Sequence, residues 1–226
     1  MEAVQNRLGK IKSSARGGAD KKAADEYAFL EKLYAHLEGE KPARTFDIGE
    51  NDEEFMRSLF LLTTKPVIYA ANIEESDMGK AEDDLPFVVK VKEFAEKEGS
   101  EVLVICAKTE EELSQMEPDD KAVFMEEFGL GESGLDRLIK KSYALLGLIS
   151  YLTAGEKETR AWTIVKGTKA PQAAGKIHSD FEKGFIRADV VNWATLIELG
   201  SIAAAKEKGK VRSEGKEYVM QDGDVV

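Results

Sequence analysis

The chain has 226 residues, 42% of them hydrophobic, which is long for one domain and comfortable for two compact units with an appendage. Its net charge of -11 argues against wrapping nucleic acid over the whole surface. Its single cysteine, Cys106, excludes an internal disulfide framework and a cysteine-cluster zinc site, and two histidines leave little for a soft-ligand metal site. No apolar run approaches the roughly 20 residues that span a bilayer, and the opening MEAVQNRLGKIKSS lacks the apolar stretch of a secretory signal, so a soluble, cytoplasmic protein with no membrane partner is expected.

The charge is unevenly placed. Residues 151–226 carry 12 Lys plus Arg against 11 Asp plus Glu, leaving 20 against 32 in residues 1–150. Only the last third is therefore a candidate reader of polyanions.

In chain order, Val4, Leu8, Ile11 and Ala15 recur at helical spacing. After the break Arg16-Gly17-Gly18-Ala19-Asp20, so do Tyr27, Leu30, Tyr34 and Leu37. Paired glycines release a helix, so two antiparallel helices are expected, joined either by a coiled-coil seam or as ordinary members of a bundle. Asn51 to Glu54 offer a capped start for a helix carrying Phe55, Leu59 and Leu62. Val67 to Ala71 and Val102 to Cys106 are short unalternating apolar runs, the pattern of strands buried on both faces, and a helix with Phe87, Val88, Val91, Phe94 and Ala95 lies between them. Strand, helix and strand of these lengths predict a βαβ unit of a parallel sheet. Helices follow near residues 110–116, 119–128 and 135–148. From Ser150 the texture becomes that of a small α+β domain, with β-type stretches at 151–153, 159–165, 185–190 and 217–220 and one helix at 193–199.

Ligands of open α/β sheets bind beyond the carboxyl ends of the strands, where this chain reads Asn72-Ile73-Glu74-Glu75 and Cys106-Ala107-Lys108. An Asn with a carboxylate three residues on, facing a small-small-Lys loop, is how P-loop GTPases grip a nucleobase. An ordinary capped turn is the competing reading. The usual Asp, which takes two hydrogen bonds from guanine, is here the longer Glu75, and Glu74 stands where a Lys is usual, so guanine selectivity should be weak. Adenine, with a donor at N6 and an acceptor at N1, asks for no bidentate carboxylate. The base is expected against Asn72 and Ile73, with the Cys106–Lys108 loop closing the far side. No G-x-x-x-x-G-K-[ST] occurs: Gly9-Lys10-Ile11, Gly175-Lys176-Ile177 and Gly209-Lys210-Val211 all fail it. Little or no nucleotide affinity is expected of this chain alone.

The chain resembles the carboxyl-terminal two thirds of the YchF or Obg-like ATPase family. "ARGGADKKA" with "LEKLYAHLEGEKPART" resembles its helical-hairpin insertion and "KPVIYAANIEE" its altered base-recognition strand. "YLTAGEKETRAWTIVKGTKAPQAAGKIHSDFEKGFIRADVV" with "EGKEYVMQDGDVV" resembles its terminal TGS domain. The resemblance implies an α/β protein in three parts. Residues 1–44 would be an antiparallel helical hairpin (coiled-coil insertion). Residues 45–149 would be the second half of a partial P-loop GTPase-type parallel sheet. Residues 150–226 would be a ubiquitin-like β-grasp TGS domain, stopping short of its last strand. It also implies binding and hydrolysis of ATP, less selectively GTP, with Mg2+ in the complete protein, and a link to ribosomes and translation. The P-loop and switch regions would lie before Met1. The rival class is a non-enzymatic, ribosome-binding or RNA-binding adaptor. A monomer is expected in either case.

Within the TGS-like segment, Phe181, Phe185, Ile186 and Val190 are expected on the buried side of a turn and strand, with His178 at the turn. Lys176, His178, Lys183 and Arg187 are the candidate RNA or partner contacts, the alternative being a solvated face balanced by Asp180, Glu182 and Asp189. Lys169, Lys206, Lys208, Lys210 and Arg212 form a second basic group. Trp162 reads as core rather than as a stacking platform, and Cys106 as an inert residue beside the base pocket.

Overall fold

The computed structural model of the chain describes residues 1–16, 20–49, 51–155 and 158–226. The turn expected at Gly17 to Ala19 lies outside the described residues. The contacts divide the chain into two compact units, Met1–Gly134 and Leu135–Val226.

In the first unit, α1 (Glu2–Arg16) packs against α2 (Lys21–Glu38), which starts where Asp20 accepts the backbone N–H of Ala23 at 3.0 Å. The stripe read from the sequence is real but incomplete. Val4 and Leu30 are fully buried and Leu8, Ile11, Tyr34 and Leu37 pack around them, yet Phe29 and Leu33 complete the seam together with Phe55 and Met56 of α3 (Glu53–Ser58). Each fully buried leucine contributes about 1.5–3 kcal/mol of hydrophobic free energy. Glu26 is buried in the same interface and takes a 2.6 Å hydrogen bond from Arg7 Nε, so its charge is partnered.

The strands β1 (Ile68–Asn72) and β2 (Glu101–Ile105) pair in parallel, with Asn72 opposite Ile105, and α4 (Pro86–Glu98) connects them. Pro86 fits the first turn of α4, and Gly99 ends it at φ 64°. The expectation of two fully buried strands is corrected. Leu103 and Val104 of β2 are buried, but β1 is half-buried to exposed along its length, because among the described residues this sheet has two strands only and covers β1 incompletely. The helices α5 (Ala107–Gln115) and α6 (Pro118–Glu127) follow, and α7 (Gly134–Leu145) begins at the unit boundary.

Composition places the domain boundary at 149/150, whereas the contacts place it at 134/135. The reason is that α7 belongs with the second unit, where Tyr143 reaches Thr163 Oγ1 at 3.0 Å. The strands here are β3 (Leu148–Ala154), β4 (Thr159–Val165), β5 (Ala188–Asn192), β6 (Arg212–Glu214) and β7 (Asp224–Val225), in the order β4-β3-β7-β5-β6. β7 is parallel to β3 (Leu152 opposite Val225) and antiparallel to β5 (Val191 opposite Val225). Asp224 and Val225 themselves form the central strand, which is two residues long. Alternate residues of β3 feed two cores. Tyr151 packs with Ile164, Met220 and Ala170 and Ala173 of α8 (Ala170–Ile177). Leu152 packs near Val191 and Val225, with Leu196 and Leu199 of α10 (Trp193–Leu199) and Ala205 of α11 (Ile202–Glu207).

The largest correction concerns residues 170–187. They form α8 and α9 (Ser179–Lys183) rather than a turn and strand, and the following strand starts only at Ala188. Phe181 and Ile186 are 55% and 79% exposed, while Val190 is buried as expected. Pro171 sits in the first turn of α8, where a proline fits, and Gly175 is where a Cβ would run into the side chain of Glu182 on α9. The strand expected at 217–220 reduces to one bridge between Lys169 and Val219. Gly223, at φ 78° and against the ring of Trp193, leads the chain into β7.

Candidate functional site

At the carboxyl ends of β1 and β2 lies a hollow of about 440 Å³ lined by Asn72, Ile73, Glu74, Glu75, Ser76, Cys106 and Lys108. Parallel pairing brings the ends of both strands to one edge, so the two segments singled out in the sequence meet. Asn72 is the last residue of β1. Its side-chain oxygen accepts the backbone N–H of Ala107 at 2.9 Å. A backbone N–H can only donate, so this bond fixes the amide orientation and leaves Nδ2 as a donor at the hollow.

Cys106–Lys108 does not form the expected loop. Cys106 is the N-cap residue of α5, and Ala107 and Lys108 are its first turn, so the far wall is a helix start with backbone N–H groups. Cys106 is buried and receives a 3.2 Å contact from the hydroxyl of Thr109, which also touches Met78 Sδ at 3.1 Å. Ile73 donates its N–H to Ile105 carbonyl oxygen at 2.9 Å, and its side chain packs toward Leu85, Val88 and Val104. That side chain is half-buried and lines the hollow.

Glu75 opens a short 3-10 turn, Glu75–Asp77, and its carboxylate is bound by Lys108 across the hollow through Oε2 at 2.5 Å. That hydrogen bond holds the Lys108 ammonium above the ordinary lysine range. The sequence names both residues but does not signal the pair. Its members are 33 positions apart, and only the parallel register joins them.

The candidate contacts of the second unit, Lys176, His178, Lys183 and Arg187, are all exposed. His178 links α8 to α9, its Nδ1 accepting the N–H of Asp180 at 3.2 Å. That leaves the neutral ring with a donor at Nε2. No ion pair is formed by Lys176, Lys183 or Arg187 among the described residues. The second basic group is largely neutralised: Lys169 pairs with Glu217, Lys206 with Asp189, and Arg212 with Glu214 and the buried Asp224. Trp162 is half-buried, with its indole N–H on Thr153 Oγ1 and Arg160 over its ring, which agrees with a packed rather than stacking role. Arg187 also borders an apolar hollow of about 460 Å³ between α8, α9 and Val226. No cluster of metal-ligating side chains occurs among the described residues, and none of their helices is long and apolar enough to cross a membrane.

These features fit a family. Residues 148–226 match the family model described as YchF-GTPase_C, protein of unknown function (DUF933). The whole chain is 50% identical over 226 residues to "Ribosome-binding ATPase YchF" of Bacillus subtilis, covering 61% of that protein. It is 40% identical to "Obg-like ATPase 1" of Oryza sativa subsp. japonica, covering 57% of it. A solved structure, that of the Schizosaccharomyces pombe YchF GTPase, superposes with a TM-score of 0.84 at 34% identity, over 99% of this chain and 60% of that one. The chain belongs to the YchF and Obg-like ATPase family and spans about three fifths of the length of these relatives.

Proposed function

We propose that the hollow beyond β1 and β2 is the nucleobase portion of a nucleotide site, taking adenine in preference to guanine, in a ribosome-associated ATPase of the cytoplasm. The observation that carries this reading is the Asn72–Ala107 hydrogen bond, which leaves an amide donor aimed by the fold and a helix start opposite it. An ordinary capped turn would satisfy Asn72 within its own turn; here the bond crosses from one strand end to the next helix. The names of the longer relatives support extending the reading to ATP hydrolysis with Mg2+ and to a ribosomal partner. Within these 226 residues the hollow accounts for the base alone.

The order β4-β3-β7-β5-β6, with α8 between β4 and β5, supports reading the second unit as a ubiquitin-like β-grasp TGS domain, and α1 with α2 supports the helical-hairpin insertion. The exposed cations Lys176, Lys183 and Arg187, with the Nε2 donor of His178, supply the contact for ribosomal RNA. An adaptor without nucleotide would have no use for the hollow. Displacement of a fluorescent ATP analogue from the complete protein, P-loop included, by ATP and by GTP tests the reading, and ATP should displace it at the lower concentration. No saturable binding, or an equal preference for both nucleotides, contradicts it.

A further inference from the structure

Lys108 and Glu75 close the mouth of the hollow, and the carboxylate has two oxygens with different fates. Oε2 is held by Lys108 Nζ, whereas Oε1 has no partner among the described residues. Lys108 also approaches Glu112 at 3.9 Å, so it is kept on the α5 side. The donor patterns of the two purines differ where such a carboxylate would read them. Guanine presents N1–H and the 2-amino group side by side and asks for both oxygens in a bidentate pair, while adenine presents one donor group, the 6-amino.

We propose that Lys108 is a specificity-determining residue: by occupying one oxygen of Glu75 it leaves a single acceptor, which suits the one-donor edge of adenine and is mismatched to guanine. This rests on the reading of the hollow as a nucleobase site. Lys108 thus acts on base choice through Glu75 and needs no contact with the base itself.

The pair is solvent-exposed, the Lys108 side chain by 67% and that of Glu75 by 43%, so its own strength is modest, and it discriminates by competition rather than by blockade. Guanine must displace Lys108, which weakens GTP by about two- to fivefold, the span expected for an exposed ion pair.

ATP and GTP titrations of the complete protein, P-loop included, followed by backbone amide shifts, test this with Lys108→Met, Lys108→Arg and the double variant Lys108→Met with Glu75→Gln. In Lys108→Met the preference for ATP should shrink by about two- to fivefold through tighter GTP binding, with an unchanged melting temperature. Lys108→Arg, which can fork both oxygens, should weaken ATP as well, because no free carboxylate oxygen remains for the 6-amino group. The double variant should lose the gain in GTP affinity, because no carboxylate remains to be freed. Equal weakening of both nucleotides in Lys108→Met would mean that Lys108 only attracts phosphate, and an unchanged ratio would mean that it does not govern Glu75; either overturns the proposal while leaving the base site standing. Binding of neither nucleotide by the wild-type complete protein would overturn both.

Discussion

The side chain of Asn72, at the end of β1, and the backbone of Ala107, at the start of α5, share a 2.9 Å hydrogen bond across 35 residues of sequence. The bond uses the amide oxygen and spares the amide nitrogen, which the proposed base site would use as its donor. Replacing Asn72 with Ala should weaken ATP binding by about two- to tenfold, the range of one net hydrogen bond. Asn72→Asp keeps an acceptor for Ala107 but loses the donor. Its melting temperature should therefore stay closer to wild type than that of Asn72→Ala, while its ATP affinity falls as far. Calorimetric titration with parallel thermal melts checks both.

A second tie lies in the other unit. Asp224 is buried, and its Oδ2 accepts from Tyr218 Oη at 2.8 Å and from the Gln221 N–H at 2.9 Å, with Arg212 3.7 Å from Oδ1. This carboxylate begins the central strand, so weakening its partners acts on the whole sheet. Tyr218→Phe should destabilise the second unit by about 1–3 kcal/mol, the cost of leaving a buried acceptor under-satisfied. Urea denaturation should show a lower midpoint with an unchanged slope.

Alkaline pH should expose the same region. Burial pushes Tyr151 up to about 12, and burial together with the hydrogen bond to Asp224 pushes Tyr218 up to about 12, against an ordinary tyrosine value near 10. Below pH 10 the folded and unfolded chains are both protonated there, and the stabilising contribution is complete. Between about pH 10 and 12 the unfolded chain ionises first, so stability falls as pH rises, by up to about 2–3 kcal/mol for the fully buried Tyr151. Tyrosinate absorbance should therefore grow in two phases, and Tyr151→Phe should flatten the loss of stability over this window.

Much of the first unit was legible from apolar periodicity, because Val4, Leu8, Ile11 and Leu30 obey helical spacing and face one core. The paired strands and their intervening helix were equally readable from two short apolar runs. What failed did so for local reasons. Pro171 and Gly175 carry breaker identities but occupy a helix first turn and a close helix contact, so α8 was invisible to a turn-based reading. Strand β7 is two residues long and pairs with partners more than 30 positions away, leaving no periodicity to detect. For the site, the identities of Asn72, Glu75 and Lys108 were readable, but the Glu75–Lys108 pair and the helical start at Ala107 depend on parallel register and on backbone course.

The exposed cations of the second unit give a partner test. Neutralising Lys176, Lys183 and Arg187 together should weaken ribosome co-sedimentation and reduce its dependence on salt, each lost phosphate contact lowering the logarithmic slope by about 0.7–0.9. Stability should change by about 0.5 kcal/mol or less per residue, since none of the three forms an ion pair among the described residues. Sedimentation like wild type at both low and moderate salt would assign these cations to a solvated surface.

The central claim is that the hollow beyond β1 and β2 receives the base. Amide chemical shifts of the complete protein, P-loop included, during ATP titration test it most directly. The account predicts saturable shifts at Asn72, Ile73, Glu75, Ala107 and Lys108, with little change near Phe181 and Phe185 in the apolar hollow of the second unit. Shifts confined to the second unit, or none at the strand ends up to millimolar ATP, would contradict it.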